Sequence, residues 1–176
     1  PPFSKNHLAD VSEKWRAALF LECESSGWKA GKGDWRHKLV GTGRTYLCGI
    51  DDNGDEWGHR VSLMLGYDEY GDTPLSATVE DAMCELFNIN LTNLANSTRQ
   101  GDLLFCPIAS IPDGVGMYPC EEWEIIASHI VSGEGLRRDG RFIAADGEIT
   151  VTHTSHQPVI LPAGNYRVHW LEIDAD

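Results

Sequence analysis

The apolar positions follow two rhythms along the chain. Leu8, Val11, Trp15, Ala18 and Leu19 fall at helical spacing, which predicts a helix over Asp10–Cys23 with Asp10 and Glu13 as a capping-box start and Ser25-Ser26-Gly27 as its stop. Thr78-Val79-Glu80-Asp81 opens a second helix to about Phe87, with Val79, Ala82, Met83, Leu86 and Phe87 on one side, and Asn90–Thr98 is a third, shorter one. Between them, Arg44–Ile50 and Glu56–Leu65 read as strands joined by Asp51-Asp52-Asn53-Gly54-Asp55. The Asn-Gly pair there supplies the positive φ angles of a tight hairpin.

From Gly101 onward the texture is that of short strands: Asp102–Ile108, Glu122–Val131, Arg141–Ala145, Glu148–His153, Pro158–Leu161 and Tyr166–Ile173, with Asp139-Gly140 and Asp146-Gly147 as turns. Together these elements predict an α+β protein. N-terminal helices with a β-hairpin would occupy residues 1–100, and a small antiparallel β-barrel or roll residues 101–176. The boundary is soft, and at 176 residues the two modules could share one core.

Charge alters this picture in one place. The net charge is −13, yet residues 28–50 carry five basic side chains against one acidic, +4, leaving −17 for the rest. A negative field of that size disfavours a protein that coats nucleic acid. In the basic stretch, Trp28, Lys29, Lys32, Trp35, Arg36, Lys38 and Arg44 interleave rings with cations, as surfaces that bind anions, single strands or a partner protein do. Gly31-Lys32-Gly33 and Gly41-Thr42-Gly43 complete no phosphate-binding loop. No apolar run approaches the roughly 18 residues that span a bilayer, and no leader pattern opens the chain. A cytoplasmic location without a membrane partner is the expectation. The five cysteines are odd in number and irregularly spaced, with no C-x-x-C, so they read as reduced thiols rather than a disulfide or zinc-ribbon framework.

The chemistry-bearing residues are histidines. His129, His153 and His156 lie in the strand-rich half, with His169 on the last strand, and folded strands could gather them at one end of a barrel. Neutral imidazoles are the commonest metal ligands, so His129, His153 and His156 form a candidate site for a divalent transition metal, with Glu134 or Asp139 as a carboxylate donor. The bland alternative is that these are surface histidines bonded to backbone. His153-Thr154-Ser155 fits the H-x-[ST] element of two-histidine phosphoesterases, but no second copy is present. No G-x-S-x-G and no cysteine nucleophile motif occurs.

Arg99-Gln100-Gly101-Asp102-Leu103-Leu104-Phe105, together with the ending His153-Thr154-Ser155-His156-Gln157-Pro158 and Leu161-Pro162-Ala163-Gly164-Asn165-Tyr166, resembles a group of small uncharacterised bacterial and phage proteins over residues 99–173. The resemblance implies a bacterial or phage origin and no established activity. Where that group has a G-H-x-H pair, this chain has Ala127-Ser128-His129-Ile130, with one histidine.

With no complete catalytic motif, the leading expectation is a non-catalytic accessory or interaction protein, whose partner is another protein met through residues 28–44. A metal-dependent hydrolase using the three histidines is the alternative. A single-strand-binding protein is the third.

Overall fold

The computed structural model of the chain describes residues 5–23, 44–51, 54, 56–62 and 77–171. They form strands, with two short α-helices, and divide into two compact units. One is Pro1–Ile50 with Asp55–Leu86, and the other is Asp51–Gly54 with Phe87–Asp176. Among the described residues no helix is long and apolar enough to cross a membrane.

The first unit holds a meander of four antiparallel strands, β1 (Lys5–Ser12), β2 (Ala17–Cys23), β3 (Arg44–Ile50) and β4 (Glu56–Val61), followed by helix α1 (Val79–Phe87). The helix expected over Asp10–Cys23 is therefore a β-hairpin turning at residues 13–16. The burial pattern explains the correction. Trp15, Ala17 and Leu19 are buried at period two, whereas Leu8 and Val11, which would complete a helical stripe, are each 58% exposed. Arg16 takes the left-handed turn conformation (φ +48), and its carbonyl accepts from Ile50 N at 3.1 Å, tying the turn to β3. Asp10 caps a different helix: its carboxylate accepts from Val79 N at 2.8 Å, at the start of α1. Thr78 and Asp81 close a reciprocal cap there, Asp81 N donating to Thr78 Oγ1 at 3.1 Å and Thr78 N to Asp81 Oδ2 at 2.9 Å.

In the second unit, helix α2 (Leu91–Ala95) precedes ten strands: β5 (Thr98–Gln100), β6 (Leu103–Ile108), β7 (Tyr118–Pro119), β8 (Glu122–Glu124), β9 (Ile130–Gly133), β10 (Arg137–Asp139), β11 (Phe142–Ala145), β12 (Ile149–Thr152), β13 (Val159–Leu161) and β14 (Gly164–Trp170). They build two open antiparallel sheets, ordered β5-β6-β14-β11-β10-β7 and β13-β12-β9-β8. No closed barrel forms among the described residues. The outer strands of each sheet end in unpaired edges, and closure comes instead from facing layers. Leu103, Phe105, Ile143 and Val168 of the six-stranded sheet share one core with Val131, Ile149, Val151 and Leu161 of the four-stranded sheet. The chain is thus mostly β, not α+β.

Two hairpins place the site. The strand expected over Glu122–Val131 is broken into β8 and β9 by a 3-10 turn, Ile126–Ser128, in which Ser128 adopts φ +63. A three-residue hairpin loop needs a left-handed residue at its last position, and Ser128 occupies it. The second is the two-residue turn Gly101-Asp102 between β5 and β6, with Gly101 at φ +55.

Candidate metal centre

The β8–β9 hairpin fixes His129. Ile125 N donates to His129 O at 2.7 Å, so His129 is the first residue after the loop rather than a mid-strand residue. Continuing the β9–β12 register one step past its last pair, Thr152 with Ile130, sets His153 opposite His129. His156 follows in the loop between β12 and β13. The three rings are nearly parallel (22–26° between planes), with centroids 4.3 Å apart for His129 and His153, 4.6 Å for His153 and His156, and 6.0 Å for His129 and His156.

One nitrogen from each of these histidines lies within 4.8 Å of the other two, so some point is no more than about 2.8 Å from all three. Zinc–imidazole bonds are about 2.0–2.1 Å, so closing the set around an ion would take a shift of under about 1 Å together with rotation of the stacked rings to aim their in-plane lone pairs at one point. Glu134 and Asp139, expected as carboxylate donors, do not belong to this group. Asp139 instead accepts from Gly116 N at 3.1 Å.

The Nδ1 of each ring lies near an oxygen. His129 Nδ1 lies 2.9 Å from Ile126 O, His153 Nδ1 is 3.0 Å from Ser155 Oγ, and His156 Nδ1 is 3.4 Å from Asp51 Oδ2. The last pair is close enough for electrostatic attraction but makes no hydrogen bond. Ligating histidines are held this way, with the non-ligating nitrogen against a carbonyl, hydroxyl or carboxylate. The bond to Ile126 O requires the His129 proton on Nδ1, which leaves the Nε2 lone pair open. For His153, Ser155 N also donates to Nδ1, at 3.2 Å, favouring a proton on Nε2. Ligation through Nε2 would need that proton on Nδ1, within reach of the Ser155 hydroxyl but against the Ser155 N–H.

The orphaned polar atoms concentrate here. His129 is 1% exposed, and its Nε2 has no hydrogen-bond partner. The described residues hold four such buried side-chain atoms. Two are His129 Nε2 and His156 Nδ1, and a third is Oε1 of Gln100, beside Gly101. Each buried polar atom left unbonded costs about 1–3 kcal/mol, and of these His129 Nε2 is the one that an ion shared by the three rings would satisfy, since His156 Nδ1 faces Asp51. Burial holds the His129 pKa below its ordinary 6.5, and the neighbouring His153 and His156 also lower it; the Ile126 carbonyl and Asp102 oppose the shift. The ring is neutral, the form that ligates a metal.

The remaining expected residues fall elsewhere. His169 is buried on β14, with Nδ1 3.0 Å from Phe87 O. Trp28, Lys29, Lys32, Trp35, Arg36 and Lys38 lie outside the described residues, and Arg44 is described only as the first residue of β3. Cys48, Cys84, Cys106 and Cys120 form no disulfide. Burial raises the pKa of Cys48 and Cys84, which suits them to packing rather than attack. Asp51, Gln100 and Gly101 were not singled out as site residues from sequence. The hairpin turn and the Gly-Asp opening marked their neighbourhoods, but nothing local tied either to the histidines.

No family model, curated protein or solved structure matches this chain.

Proposed function

We propose that this protein is a metal-dependent hydrolase that holds one divalent transition-metal ion, best fitted by zinc, on His129, His153 and His156. The observation that carries the reading is the buried, unbonded His129 Nε2 in a group whose nitrogens lie within 4.8 Å of one another. Three neutral imidazoles would leave a bound ion's double charge undiminished, and the chemistry it would supply is a bound water acidified to about pKa 7 and a polarised carbonyl or phosphoryl oxygen. The chain's own part is to orient the rings through Ile126 O, Ser155 Oγ and Asp51, and to keep His129 dry and neutral.

Elemental analysis tests the reading in two stages. Protein stripped with chelator, equilibrated with zinc and desalted should retain one equivalent, and His129→Ala should retain none. A wild type without stoichiometric metal overturns the proposal. If zinc is retained but a panel of activated esters and phosphoesters is not cleaved above the rate of the His129→Ala variant, the metal stands and the hydrolase falls.

The segregated charge supports a second reading, in which residues 28–44 meet an acidic partner protein. Charge reversal at Lys29, Lys32, Arg36 and Lys38 should then abolish co-purification of a partner that the wild type retains. Unbridged thiols and the lack of a spanning helix among the described residues suit a cytoplasmic setting for either role.

A further inference from the structure

Next to the histidines stands a pair of residues that the ligand set does not include. Gln100 is 1% exposed, and its Nε2 donates to Val151 O at 3.1 Å and to Gln157 O at 2.7 Å. Those carbonyls flank residues 152–156, the segment that carries His153 and His156. One amide therefore draws the two ends of the histidine loop together, while its own Oε1 stays buried and unbonded.

Gly101 follows. A β-carbon there would stand 2.6 Å from His156 Nε2, 2.9 Å from His156 Cδ2 and 3.3 Å from His129 Nε2. The first two distances are shorter than carbon atoms accept without displacing a neighbour. Ring nitrogens of two histidines thus pack against one bare α-carbon, and a methyl group there would push the rings aside.

We infer that Gln100-Gly101 is a positioning element of the metal centre. Gly101 lets the β5–β6 turn approach the His129 and His156 rings without displacing them, and Gln100 fixes the loop that delivers His153 and His156. Neither residue ligates. The inference rests on the metal reading above and adds to it a steric determinant on the β5–β6 turn, in the sheet opposite the one that supplies the histidines.

A matched pair of glycines separates space from backbone strain. Gly140 has φ +53, close to the +55 of Gly101, and nothing lies within 4 Å of its missing β-carbon. Alanine imposes the same left-handed conformation at either site but meets the histidine rings only at 101. Zinc affinity of the metal-free full chain, by competition with a chromophoric chelator below all melting transitions, should fall at least 100-fold in Gly101→Ala and stay within twofold in Gly140→Ala. Gln100→Ala should lose about tenfold and shift the visible spectrum of the cobalt(II)-loaded protein, a change that lower stability alone does not produce. Equal zinc affinity in Gly101→Ala and Gly140→Ala overturns the inference while leaving the metal reading intact. Should Gly101→Ala not fold, an unchanged affinity and cobalt spectrum in Gln100→Ala overturns it. A wild type that takes up no zinc removes both.

Discussion

His129 and His153 stand opposite each other one residue beyond the β9–β12 ladder, with ring centroids 4.3 Å apart. The pairing follows from register: once Thr152 sits across from Ile130, the next residues out can only be these two. Two neutral imidazoles are tolerable neighbours there. Two imidazolium ions would not be, and a shared cation between them is favourable.

Zinc should therefore stabilise the fold that builds the site. At a free zinc concentration 100 times the dissociation constant the gain is about 2.7 kcal/mol, or a rise of roughly 10 °C or more in the melting transition of a unit this size. Differential scanning calorimetry with and without zinc measures it. His129→Ala should melt at one temperature in both conditions.

Acid should destabilise the metal-free protein early. The native pKa values of His129 and His169 both lie below the ordinary 6.5, chiefly through burial. The unfolded chain takes up these protons first, so stability is full above about pH 6.5 and falls as pH drops below it toward the native values. Urea midpoints from pH 8 to 5 check the sign. His169→Asn, whose amide can still donate to Phe87 O, should flatten part of the slope.

Ser155 should matter more to metal than to folding. Its hydroxyl lies 3.0 Å from His153 Nδ1, and its backbone N–H donates to the same nitrogen at 3.2 Å, so it helps to set that ring's orientation. Ser155→Ala should weaken zinc binding by about tenfold or more and move the melting temperature of the metal-free protein little, since Ser155 is exposed. Paired chelator competition and calorimetry separate the two effects.

In the first unit, Gly49 permits a close approach. A β-carbon there would overlap the indole of Trp57 and stand 2.8 Å from Arg16 O, the acceptor that ties the β1–β2 turn to β3. Gly49→Ala should cost about 1–3 kcal/mol by overpacking. Chemical denaturation monitored by tryptophan fluorescence measures it.

Sequence conveyed local signals well where chemistry is local. The Thr78–Asp81 cap begins a real helix, Arg44–Ile50 is a strand with the expected bounds, and Gly54 takes φ +91 in the turn after it. The three histidines named from the sequence are the ones the structure brings together. It misled where an apolar pattern fits two periods. Trp15, Ala18 and Leu19 satisfy a helix, and Trp15, Ala17 and Leu19 satisfy a strand, and pairing with β3 decides between them. The partners of the histidines were illegible for a related reason. Asp51 and Gly101 lie far from them along the chain and reach them only through tertiary folding.

The four-stranded sheet supplies all three imidazoles, while the bare α-carbon facing two of them belongs to a turn of the six-stranded sheet. An ion held by these rings would act as a clasp between the β8–β9 and β12–β13 loops, the second of which Gln100 of β5 bonds from the opposite layer. Losing it should loosen that region first. Amide hydrogen exchange at residues 98–103 and 152–157 would quicken together in metal-free protein, while Ile143 and Val168, deep between the layers, kept their protection.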